Sequence, residues 1–167
     1  MKNYKTKNNE IYSYEDDVPK DFLDAKIKEL GLTLISDEEL TEMRKPTLEQ
    51  LKTSKTSEIN TACGNEIVNG FTSDALGTVH NYQSAEIDQL NLIGVVAGGT
   101  DDYFKTGTKD ADGVITYEYK IHTAVQLLQV LNDGKAYKQI LLQKANGLKV
   151  QVAEATTVEE IGVIVWN

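Results

Sequence analysis

Two histidines, His80 and His122, a single cysteine, Cys63, and scattered carboxylates are the side chains of this 167-residue chain best suited to chemistry. Asp88 and Asn91 stand three apart in the otherwise apolar run AEIDQLNLIGVVA, and His122 and Gln126 stand four apart where a second apolar pattern begins. On a helix each of these pairs shares a face. An unpartnered carboxylate in apolar surroundings costs several kcal/mol, and an imidazole donating to it removes much of that cost. His122 is therefore the expected donor to Asp88, with His80 as the competitor. Such a pairing has two readings. Histidine titrates near neutrality and a carboxylate orients it, which suits general acid/base work. The same groups also serve as a polar structural network fixing how two helices register. The second reading is the expectation: His80, Asp88, Asn91, His122 and Gln126 form one network, with no catalytic residue assigned.

Other chemistries find less to work with. Cys63 falls in the apolar stripe of a helical pattern, where a free cysteine behaves as a small hydrophobe. His80, His122 and Cys63 lie at no ligand-pair spacing on one element, and CxxC and HExxH are absent, so no metal is expected. The stretch Gly94 to Thr100 contains three glycines but neither a Gly-Lys-Ser/Thr ending nor GxGxxG spacing, which predicts a helix end and a turn rather than a phosphate loop. No cofactor is expected. Asp and Glu number 26 against 17 Lys and Arg, a net charge of -9 that repels phosphate backbones and anionic surfaces, so neither nucleic acid nor membrane is an expected partner. No stretch approaches the roughly 18 apolar residues that would cross a bilayer, and no apolar run follows the N-terminal lysines, which predicts a cytoplasmic protein.

The elements that must position these residues can be read from periodicity and punctuation. An N-terminal appendage over 1–46 reads as a hairpin, 4–7 and 11–14 around Asn8-Asn9, then a helix opened near Pro19 and stopped at Gly31, a strand over 32–35, and a short helix boxed by Ser36 and Glu39. Residues 47–167 read as a second, mainly helical domain. It opens with a helix over about 48–68 whose apolar stripe is thin, suited to bridging or to pairing with copies of itself. A small two-stranded turn follows around residues 74–77. Next comes a helix capped by Ser84, apolar almost all round and therefore expected in the core. A hairpin with strands over 103–106 and 114–119 turns at Asp112-Gly113. Thr123 caps the clearest amphipathic helix, which is expected to break at Asn132-Asp133-Gly134 and resume through Gly147, with a strand over 148–152 as the alternative. Thr156 with Glu159 boxes a last short helix, and Trp166 is expected to pin the chain end to the core. The fold class is thus α+β: a mostly helical domain with short β-hairpins and a small hairpin-plus-helix appendage.

The succession Gly70-Phe71, Ala75-Leu76-Gly77, His80 with Tyr82, Asp88-Gln89-x-Asn91-Leu92, a hairpin, His122-Thr123 with Gln126-Leu127, Ala155-Thr156-Thr157 and Trp166 resembles an uncharacterised domain of bacteriophage and prophage tail and tail-fibre-assembly proteins, over about residues 47–167. Residues 1–46 loosely resemble the opening of small tail-fibre assembly proteins. The resemblance carries no reaction. It implies a non-catalytic protein-binding accessory, a tail-fibre chaperone or an adaptor, whose partner is a tail-fibre or other tail protein, and which works in the bacterial cytoplasm or is incorporated in the virion tail. Tyr4, Tyr12 and Tyr14 are the expected partner-binding residues, because interface cores favour aromatics; cross-strand packing is their other use. Two alternatives stand beside this reading: a homo-oligomeric structural tail component, and a small hydrolase using Asp88 with His80 and His122.

Overall fold

A computed structural model describes residues 1–167. The protein is α+β and mostly helical, with six helices and seven strands divided between two units, Met1–Thr47 and Leu48–Asn167.

In the first unit, β1 (Lys2–Lys5) and β2 (Ile11–Tyr14) form an antiparallel hairpin. Its turn places Asn9 at φ 64°, the left-handed region asparagine tolerates, while the Thr6 hydroxyl accepts from the N–H groups of Asn8 and Glu10. Helix α1 (Lys20–Leu30) follows Pro19 and stops at left-handed Gly31, and β3 (Thr33–Ile35) returns antiparallel to β1, giving the order β2-β1-β3. Helix α2 (Asp37–Arg44) is capped by Ser36, whose hydroxyl accepts from the Glu39 N–H at 3.1 Å; the Glu39 carboxylate pairs with Lys5. Tyr4, Leu32, Ile35 and Leu40 are buried.

The second unit is built on two long antiparallel helices, α3 (Leu48–Val68) and α5 (Ala124–Glu154). Contacts run in opposite order along them: Lys52 donates to the Ala153 carbonyl, Lys149 to Asn60, and Tyr137 to Glu66. The thin stripe of α3 is enough for this, because Ile59 and Cys63 insert among Leu141, Ala145, Val152 and Ile164. A four-stranded antiparallel sheet in the order β4-β5-β6-β7 packs near the other end of α5, formed by β4 (Phe71–Ser73), β5 (His80–Tyr82), β6 (Asp102–Lys109) and β7 (Ile115–His122). Helix α4 (Glu86–Gly98) joins β5 to β6. Short α6 (Val158–Gly162) is the last element; in the segment after it Trp166 is half-buried, its indole donating to Glu66 at 2.6 Å with the Lys144 ammonium over its ring.

Three expectations are corrected. Helix α5 does not break at Asn132-Asp133-Gly134. Asp133 accepts a 2.6 Å hydrogen bond from Ser73, and the Phe71 ring lies so close to Gly134 that a Cβ there would sit 2.7 Å from Cζ. The apparent punctuation is a tertiary contact, in which a small residue lets an aromatic ring approach the helix. Beyond Gly147 residues 148–152 continue the same helix, as expected, and not the alternative strand. The last capping box is one residue later than read, with Thr157 accepting from Glu160. Helix α4 starts after Ala85 rather than Ser84, and of its apolar residues only Leu92 is buried.

Candidate functional site

Strand alternation puts every second residue of the sheet on the side facing α5. Phe71 pairs with Tyr82 and Ser73 with His80 across β4 and β5, and Asp102 pairs with His122 and Phe104 with Lys120 across β6 and β7. The inner side therefore collects Phe71, Tyr82 and Phe104, whose rings stack with centroids 5.7 and 6.3 Å apart, over Leu127 and Val130 of α5. His122 stands edge-on to both Tyr82 and Phe104 and is 0% exposed.

The hydrogen bonds of this imidazole define its state. Nδ1 lies 2.9 Å from the Lys120 carbonyl oxygen, which only accepts, so Nδ1 carries the proton. Nε2 then accepts from the Tyr82 hydroxyl at 3.0 Å, with the Thr106 hydroxyl at 3.5 Å. Burial pushes the His122 pKa down, the bond to the Lys120 carbonyl opposes this, and the nearby charges of His80 and Lys120 push it further down. Burial likewise pushes the Tyr82 phenol up. The ring is held neutral, with both nitrogens engaged. His80 is a second buried imidazole on the same side: Nδ1 lies 2.7 Å from the Thr78 carbonyl, and Nε2 is 3.4 Å from the Lys120 ammonium. No buried side-chain nitrogen or oxygen lacks a partner.

The five residues expected to form one network are not brought together. Asp88 reaches neither histidine; its carboxylate accepts from the Ala85 N–H at 3.1 Å and caps α4. Gln126 caps α5, accepting from the Thr123 N–H at 2.8 Å while Thr123 accepts in return from Gln126. Asn91 is exposed on α4. Only His80 and His122 share a cluster, and their partners Tyr82, Thr106 and Lys120 were missed. The available signal was period-two: Phe104, Thr106, Lys120 and His122 alternate within their strands, which a reading centred on helix faces overlooks. In the first unit Tyr4 is buried and packs edge-on against Tyr14, its centroid 5.9 Å away, while Tyr12 pairs across from Tyr4. These rings thus serve cross-strand packing, with Tyr12 and Tyr14 half-exposed.

The outer side of the β6–β7 hairpin differs in kind. Tyr103 is 63% and Tyr119 68% exposed, and Ile121 is 54% exposed opposite Tyr103. Tyr117 covers Gly107, where a Cβ would lie 2.7 Å from its ring, and the Lys105 ammonium sits 5.5 Å from its centroid. Beside α4 a cleft of about 360 Å³ is lined by Asp88, Leu90, Asn91, Tyr103, Lys105 and Tyr119. On the other flank of α4 a more apolar cleft of about 380 Å³ lies among Ile67, Phe71, Leu92, Ile93, Leu131 and Tyr137. Ile87, Leu90 and Ile93 stand exposed on α4. No group of three or more His, Cys, Asp or Glu side chains is placed to hold a metal ion, and no helix is long and apolar enough to cross a membrane.

Fold and site together define an α+β domain in which a helical pair carries a small antiparallel sheet, with a neutral histidine locked on the sheet's inner side and an aromatic surface on its outer side. Residues 50–165 match the family described as a domain of unknown function, DUF4376, and the chain belongs to that family. No curated protein and no solved structure matches the chain.

Proposed function

We propose that this protein is a non-catalytic, protein-binding accessory of a bacteriophage or prophage tail, acting as a tail-fibre assembly factor or as an adaptor. The tail setting comes from the resemblance of residues 47–167 described above. The observation that carries the binding reading is the exposed apolar side of α4: Ile87, Leu90 and Ile93 face outward with a cleft on each flank. A helix apolar on all sides is ordinarily covered, and contiguous exposed apolar surface marks interaction sites. The proposed partner surface is accordingly α4 and its clefts rather than the tyrosines of the first unit. The groups with chemical potential support the same reading, since Asp88 and Gln126 cap helices and His122 has no free nitrogen.

Co-expression with a phage tail-fibre subunit tests the proposal. The expected result is a soluble fibre subunit that co-purifies with this chain, and loss of co-purification when Leu90 and Ile93 are both replaced by Ser. An insoluble fibre that leaves this chain behind would remove the assembly reading.

A further inference from the structure

The sheet has two unlike edges. β4 is three residues long, too short to template another strand, whereas β7 runs eight residues, pairs only with β6, and contains neither proline nor a bulge in its register. A long, flat edge presents a row of backbone donors and acceptors to any strand that fits it.

The sequence of β7, ITYEYKIH, fits a copy of itself. Two copies related by a two-fold axis perpendicular to the sheet pair antiparallel, and each register places one residue on the axis. With Glu118 or Lys120 on the axis, like charges stand directly opposite, which is destabilising. With Tyr117 there, Lys120 falls opposite a residue outside the strand. With Tyr119 there, Glu118 faces Lys120 of the partner subunit and Lys120 faces Glu118 of the partner subunit. Tyr117 then faces Ile121 of the partner subunit, an aromatic and β-branched pair of the kind that stabilises sheets. Glu118 and Lys120 already lie on one face, 3.2 Å apart, and both side chains reach solvent. This register also sets the Tyr119 ring, 68% exposed in the single chain, against its own copy.

We propose that two copies of this chain join through β7, antiparallel with Tyr119 on the two-fold axis, making one continuous eight-stranded sheet. The occupant is a second copy because the charge order of this strand complements itself in one register. The inference does not depend on the tail reading.

Sedimentation equilibrium tests it by charge exchange. The wild-type protein is expected to dimerise. Glu118→Lys and Lys120→Glu are each expected to weaken self-association by about tenfold or more, since each sets like charges opposite one another at two places. An equimolar mixture of the two variants should recover a dimer, because every pair is then of opposite sign. As a second probe that spares the charges, Tyr119→Cys should form an intersubunit disulfide under mild oxidation about tenfold faster than Ile121→Cys, because only residue 119 meets its own copy directly. A concentration-independent wild-type monomer, a mixture no better than its components, or equal crosslinking at the two positions would overturn the proposal.

Discussion

The two sides of the β6–β7 hairpin are made by the same two strands, yet they are opposites. On the inner side the polar groups beneath the ring stack are enclosed and matched, His122 between Tyr82 and the Lys120 carbonyl and Thr106 donating to Phe104, while Glu118 and the Lys120 ammonium reach solvent. On the outer side Tyr103, Tyr119 and Ile121 stand largely in solvent. In an isolated domain, alternation ordinarily sends apolar residues inward and polar ones outward. Here the inner side carries the two histidines, both buried, and the outer side much of the exposed aromatic area. The lesson is that histidine in this chain is an internal fastener, while the rings left in solvent lie on the opposite side.

Substitutions on the two sides should separate these roles. The largest effect is expected from Tyr82→Ala. Tyr82 is 1% exposed and central to the ring stack, so its removal should cost about 3–5 kcal/mol of folding stability, read by chemical denaturation. A loss under 1 kcal/mol would mean that the inner side is not the structural one. Tyr119→Ser should change the folding stability of the isolated subunit by no more than about 0.5 kcal/mol, because an exposed ring has little burial to lose. A large loss of subunit stability there would break the contrast from the other direction.

Much of the fold was legible where the signal is local. The boundaries of α3, the stop at Gly31, the Ser36 and Thr123 caps and the turn at Gly113 all depend on residues within a few positions of one another. What escaped the sequence depends on contacts between distant segments. Asn132-Asp133-Gly134 has the composition of a break, and only the arrival of Ser73 and Phe71 from β4 makes it helix interior. The apolar character of α4 was plain, but its exposure was not, because hydropathy records what a residue prefers rather than whether a neighbour is present. The candidate site was half legible. Both histidines were singled out and lie in one cluster, but Asp88 and Gln126 were each within reach of a backbone N–H at a helix start. A cap three residues away needs no long-range assembly, and a pairing across the domain does.

The central claim, that His122 works as a neutral internal fastener, is tested most directly by the difference in melting temperature between the wild-type protein and His122→Ala, measured at pH 8 and at pH 5. The folded-state pKa of His122 is depressed below the unfolded value of about 6.5, so the unfolded chain binds a proton on acidification before the folded one does. Its contribution is therefore complete above about pH 6.5 and is lost as pH falls below that value. Removing the imidazole leaves the Tyr82 hydroxyl without its acceptor, so the variant should be less stable at pH 8 by about 1–3 kcal/mol. The gap should narrow at pH 5. Equal melting temperatures at pH 8, or a gap that widens on acidification, would contradict the account.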